Sequence, residues 1–206
     1  MNEILKDTFK VIELYQIDIT LDDIIKHWSE EHRNFHTLEH LTDVLDQIQN
    51  RKDEFRLPDY YSLIIAAFFH DIVYDPQRND NEEKSVKFFN SRLPKPSLKM
   101  LSLNSDMIFN NVKDIIIDTK KHSAKKGVKK IFNDIDCSIL TRKFIDLVRW
   151  EEQIYEEYKF VGWDKYFENR MKFLKTILPK YKKNKVELNK LIQFLEFKNE
   201  HDIFDN

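Results

Sequence analysis

The sequence predicts an all-α fold, a single-domain helical bundle over residues 1–206, on three observations. Only two glycines and five prolines occur in 206 residues, whereas strand-rich folds need many tight turns built from those residues. Apolar residues recur at helical spacing through nearly the whole chain, with no sustained alternation. The apolar share is 41% and the aromatic share 13%, enough for a packed core and too much for wholesale disorder. Most of the 16 phenylalanines are expected in that core.

The elements follow in order. Ile4, Leu5, Phe9, Ile12 and Leu14–Tyr15 make a first amphipathic segment. Thr20 followed by Asp22–Asp23 reads as a capped start for a second, running to about Trp28. A third carries Leu38, Leu41, Val44, Leu45 and Ile48. Pro58–Asp59 opens a fourth, oily enough to be buried on all sides, ending near Tyr74 where Asp75-Pro76 stops it. Asp80-Asn81-Glu82-Glu83 starts a fifth, its acidic first turn suited to the helix dipole. Pro94 and Pro96 mark a connection, and Ser105 or Asp106 opens a sixth. Ile131, Ile135 and Ile139–Leu140 form a shorter seventh. Long helices near 142–160, 164–178 and 185–198 close the chain, the last two separated at Leu178-Pro179. No repeat, low-complexity tract or dividing linker is visible.

Charge and cysteine content exclude several classes. The formal net charge is -2, which provides no global field for nucleic acid or an anionic membrane. The one basic stretch, Lys120 to Lys130, reads either as a solvated loop and helix start or as a phosphate-attracting rim. Cys137 is the only cysteine, so an intrachain disulfide, a zinc ribbon and a CxxC redox pair are all ruled out, and a buried filler is expected. No apolar run approaches the ~18 residues that span a bilayer, and no apolar signal segment opens the chain. A soluble cytoplasmic protein is expected.

The chemistry-bearing residues are histidines and aspartates. His70-Asp71 closes the run Leu63 to Phe69. An imidazole and a carboxylate at a buried helix end need partners, and one divalent cation satisfies both. His36 and His40 are four residues apart, so a helix would put them on one face, with Val44 and Ile48 continuing the stripe inward. Asp136 supplies a further carboxylate downstream. Helices can each aim one or two such ligands into a shared interior. Nitrogen and oxygen donors without thiolate suit one or two ions of Mn, Fe, Ni, Co, Mg or Zn, and leave positions for water whose pKa the ion lowers.

The order His40, His70-Asp71, Asp136 resembles the HD superfamily of metal-dependent phosphohydrolases. The flanking residues are similar to one bacterial branch of predicted HD phosphohydrolases of about two hundred residues. Arg33-Asn34-Phe35-His36-Thr37-Leu38-Glu39-His40 resembles its Arg-x-Tyr-His-Thr-x-x-His signature, with Phe35 in place of Tyr. Phe69-His70-Asp71-Ile72-Val73-Tyr74-Asp75-Pro76 resembles its Phe-His-Asp-x-x-Tyr-Asp-Pro segment. Asn81-Glu82-Glu83-Lys84-Ser85, Thr119 to His122 and Asp134 to Leu140 also fit. The likeness covers about residues 25 to 180.

The resemblance implies that His40, His70, Asp71 and Asp136 bind the metal, with Asp71 able to bridge to a second ion. It makes His122 and Glu83 candidates for that ion or for orienting its water. By analogy with the Tyr-His-x-x-x-His of helical cyclic-nucleotide phosphodiesterases, His36 is the proton donor to the leaving oxygen. Arg33 and Lys121 are candidates to bind a substrate phosphate, and Arg149 is assigned a structural role. The implied activity is hydrolysis of a nucleotide or other small phosphorylated substrate by a metal-activated water. A di-iron HD-type oxygenase and a non-catalytic nucleotide-binding module are the alternatives. No membrane or nucleic-acid partner is expected, and a homodimer is left open.

Overall fold

The structure is a computed structural model that describes residues 3–95, 104–201 and 203. Among these residues every regular element is a helix, as the scarcity of turn formers predicts. The chain forms two compact units, Met1–Asp136 and Cys137–Asn206.

The first unit holds α1 (Glu3–Leu14), α2 (Leu21–Trp28), α3 (Leu38–Asn50), α4 (Leu57–Phe69), α5 (Asn81–Arg92), α6 (Ser105–Thr119) and α7 (Gly127–Asp136). α4 is its axis, packed against α1, α3, α5, α6 and α7. Every residue from Ser62 to Phe69 is buried, so this helix has no polar face. Each large apolar side chain removed from water there contributes about 1.5–3 kcal/mol.

Local chemistry sets the ends. Thr20 caps α2 with a reciprocal pair: its hydroxyl accepts from the Asp23 N–H, and its own N–H donates to the Asp23 carboxylate, both at 3.1 Å. Pro58 occupies the first turn of α4, where a missing N–H costs nothing.

Two boundaries differ from expectation in ways that matter for the site. α4 ends at Phe69, short of Tyr74. The following turn finds its partners on α5: Val73 N–H donates to Ser85 Oγ (3.2 Å) and Asp75 N–H to Asn81 Oδ1 (3.2 Å). Side-chain oxygens on α5 thus replace helical hydrogen bonds for the turn that follows His70-Asp71. α3 begins only at Leu38, because the Thr37 hydroxyl accepts the Glu39 N–H (3.3 Å) as an N-cap. His36 therefore lies in the preceding loop and shares no helix face with His40.

The second unit holds α8 (Phe144–Tyr158), α9 (Trp163–Ile177) and α10 (Lys185–Glu200), preceded by a 3-10 turn, Cys137–Thr141. α10 packs on both α8 and α9 through Leu188, Leu191, Ile192 and Leu195. Buried Glu151 accepts from Arg170 Nε (2.7 Å) and from the Tyr166 hydroxyl (2.5 Å). Burial, opposed by Arg170 and reinforced by Glu151, pushes the Tyr166 phenol well above its ordinary range.

Phe9, Phe68, Phe69, Phe89, Phe109 and Phe132 are buried in the core, while Phe160, Phe173 and Phe197 stand exposed. One smaller expectation fails. Cys137 is half-buried and not a sealed core filler. Pro96, the second proline of the connection after α5, lies outside the described residues. No described helix is long and apolar enough to cross a membrane.

Candidate metal centre

His70 caps the C-terminus of α4, its N–H still bonded to the Ala66 carbonyl at 2.8 Å. Its ring is sealed by Trp28 and Phe132, with centroids 5.3 Å away in each case. Trp28 is itself anchored to the end of α4, donating from Nε1 to the Phe68 carbonyl (3.1 Å). His70 Nδ1 lies 2.9 Å from the Ala67 carbonyl. A carbonyl only accepts, so Nδ1 carries a proton and, in the neutral ring, Nε2 presents a lone pair. A backbone carbonyl fixing the distal nitrogen is the usual support for a ligating histidine. His40 reaches the same point from the first turn of α3, buried beneath Phe35 at 4.9 Å. Asp136 comes from the last residue of α7 and Asp71 from the turn after α4.

Four donor atoms converge. His40 Nε2 is 3.3 Å from His70 Nε2 and 3.1 Å from Asp136 Oδ1. His70 Nε2 is 3.4 Å from both Asp136 Oδ1 and Asp71 Oδ2. A small divalent cation with bonds of about 2.0–2.2 Å sets neighbouring donors about 2.8–3.6 Å apart, from octahedral to tetrahedral geometry. The four separations fall in that interval. His40, His70 and Asp71 also satisfy the wider requirement that one donor from each lie within 4.8 Å of the others.

Charge tells the same story. Burial alone would push the His70 imidazole down, but the Asp71 charge and the Asp136 hydrogen bond outweigh it, so the ring is pushed up to about 9. Asp136, although largely buried, is held well below the usual carboxylate range by hydrogen bonds from His122, His40 and His70. Without a cation, the cluster therefore draws in positive charge as protons.

Around this set stand the other expected residues. His36 Nε2 is 3.9 Å from Asp71 Oδ2, its ring packed on Tyr74 at 4.3 Å. His122 donates from Nε2 to Asp136 Oδ2 (3.0 Å), the oxygen turned away from His40. His122 has φ +46°, a left-handed backbone uncommon outside glycine. Its N–H is held by the Asp118 carbonyl at 2.7 Å. The Asp118 carboxylate binds Ser123 Oγ (2.8 Å), Ala124 N–H (3.1 Å) and Asn133 Nδ2 (2.6 Å). One carboxylate thereby ties the His122 turn to the helix that carries Asp136.

Glu83 and Arg33 sit differently from expectation. Glu83 is half exposed, its carboxylate chelated by Lys120 Nζ at 2.7 and 2.8 Å. That partner holds its carboxyl below the usual range, and Glu83 touches none of the cluster residues in any described contact, which removes the basis for a catalytic role. Arg33 is buried, and the protein's own groups occupy its nitrogens: Nε donates to Glu30 (3.0 Å), Nη1 to the His36 carbonyl (3.0 Å) and Nη2 to the Ile72 carbonyl (3.4 Å). A guanidinium so engaged is not free to fork a phosphate. Lys121 is exposed in the turn beside His122, and its ammonium makes no ion pair among the described residues.

Asp118, Asn133, Trp28 and Tyr74 support the centre, and sequence reading gave none of them a role there. Asp118 and Asn133 are fifteen residues apart on different helices, a separation with no local periodic signature. Tyr74 was visible only as part of the turn after His70-Asp71.

No protein-family model, curated protein or solved structure matches the chain. The class it defines is thus set by fold and site: an all-helical protein whose central helix delivers a buried His/Asp cluster at its C-terminal end.

Proposed function

We propose that this chain is a metal-dependent phosphohydrolase of the HD type, acting on a nucleotide or another small phosphoester. The carrying observation is that His40 Nε2, Asp71 Oδ2 and Asp136 Oδ1 all lie 3.3–3.4 Å from His70 Nε2, with His40 Nε2 and Asp136 Oδ1 3.1 Å apart. His40, His70, Asp71 and Asp136 would hold a divalent cation. When bound, such an ion supplies positive charge for the phosphoryl oxygens and a water of lowered pKa.

The remaining chemistry belongs to the side chains. His36 stands beside Asp71 and outside the set of proposed ligands, where its Nε2 would carry a proton to a leaving oxygen. His122 orients Asp136 through a hydrogen bond to the carboxylate's second oxygen. Lys121 offers an exposed ammonium on the same turn for the substrate's outer phosphate oxygens.

The test is metal content per chain, on protein purified without a histidine tag or chelator, beside a His70→Ala/Asp71→Ala variant. Bound transition metal in the wild type, lost in a folded variant, supports the site. Turnover of a phosphoester panel with Mn, Ni, Co or Mg then supports the hydrolase. Two irons per chain with an oxygen-dependent spectrum would redirect the assignment to oxygen chemistry. Absence of metal after loading would refute it.

A further inference from the structure

Arg33 joins the two segments on which the proposed reaction depends. Its side chain is fully buried, and its guanidinium carbon lies 5.4 Å from the Trp28 ring and 5.3 Å from the Tyr74 ring. Each end of that planar group is bonded to a different segment. Nη1 donates to the carbonyl of His36, the proposed proton donor. Nη2 donates to the carbonyl of Ile72, one residue past Asp71. Glu30 holds Nε and fixes the rotation of the plane. Tyr74, packed on the His36 ring at 4.3 Å, also lies against the same guanidinium.

We infer that Arg33 is a positioning residue that sets the distance between His36 and Asp71, and is not a ligand for the substrate phosphate. The inference rests on the hydrolase assignment for its kinetic consequence but not for its geometry. The loop carrying His36 has no helix to hold it, since α3 starts at Leu38. Its register against the His70-Asp71 turn is carried instead by a rigid fork that bonds both backbones. Lysine cannot replace it: one ammonium at the end of a flexible stem does not span two carbonyls and a carboxylate in one plane. The Trp28 ring beneath the guanidinium also walls His70, so the clamp is continuous with the metal centre.

The experiment compares wild type, Arg33→Lys and Glu30→Gln, the last loosening the guanidinium without emptying its pocket. Three readouts are taken on Mn2+-loaded protein: paramagnetic relaxation of the His36 ring signals, the Kd of inorganic phosphate, and kcat and KM on bis(4-nitrophenyl) phosphate. In Arg33→Lys, the relaxation of the His36 ring falls while that of His40 stays. A displacement of about 1 Å lowers kcat about a hundredfold, with KM and phosphate Kd unchanged within about twofold. Glu30→Gln shifts the same readouts in the same direction by about tenfold in kcat. A phosphate Kd weakened about tenfold or more with His36 relaxation intact would make Arg33 a substrate ligand and overturn the inference. Wild-type values in both variants would overturn it equally. If wild type binds Mn2+ but leaves the ester intact, the hydrolase assignment fails, and the relaxation of His36 still decides the role of Arg33.

Discussion

Metal binding to this chain should expel a proton from His70. In the metal-free protein Asp71 and Asp136 push that imidazole up to about 9 against the opposing effect of burial. The Nδ1 proton is committed to the Ala67 carbonyl, so the titrating proton is the one on Nε2, the atom a cation needs. At pH 7 the ring lies about two pH units below its midpoint. Displacing the proton therefore lowers the apparent metal affinity about a hundredfold from its high-pH limit, or about 3 kcal/mol.

The signs for folding and for metal binding are opposite. A raised imidazole stabilises the metal-free fold fully below its ordinary value of 6.5, and that contribution is lost as pH rises through about 9. The cation binds the deprotonated ring, so its affinity climbs about tenfold per pH unit up to about 9 and then levels. Asp136 contributes no proton, being already ionised. Calorimetric titration with Mn2+ between pH 6.5 and 8.5, in buffers of different ionisation enthalpy, measures both quantities. About one proton released per ion at pH 7 is expected. A count near zero with affinity flat across that interval would refute the coupling between His70 and the two carboxylates.

Three further outcomes are expected. His36→Ala should lower kcat on a phosphoester by about 10²–10⁴-fold while metal content per chain stays at the wild-type value, which elemental analysis checks. Asp118→Ala should release the His122 turn from α7 and weaken Mn2+ binding about 10–100-fold, read as Kd by titration. Glu151→Gln should leave the Arg170 guanidinium buried without its counter-charge and cost about 3–5 kcal/mol; a denaturant titration of the intact chain showing no loss would mean that solvent reaches the pair.

The all-α class, the ten α-helices among the described residues and the histidines and aspartates of the proposed site were legible in the chain because each depends on short-range information. Helical periodicity, two glycines in 206 residues and an apolar run ending in His70-Asp71 are local patterns. The cap at Thr37 and the turn after Phe69 belong to a different order. They follow from which oxygen reaches a backbone N–H first, and for the turn those oxygens lie on α5, at Ser85 and Asn81. Spacing alone therefore put His36 on a helix that had not yet begun.

Arg33 and Glu83 show the same limit from the side of charge. Arg33 read as a candidate phosphate ligand, and Glu83 as a candidate for a second ion or its water. Only tertiary structure supplied the His36 and Ile72 carbonyls that engage the first and the Lys120 ammonium that neutralises the second. Asp118 and Asn133 had no local signature, because their bond joins two helices and has no period. Residue types and their order are properties of the chain. Which donor atoms gather 3.3–3.4 Å from His70 Nε2, and which charges find partners, is decided by packing α3, the end of α4 and α7 around one point.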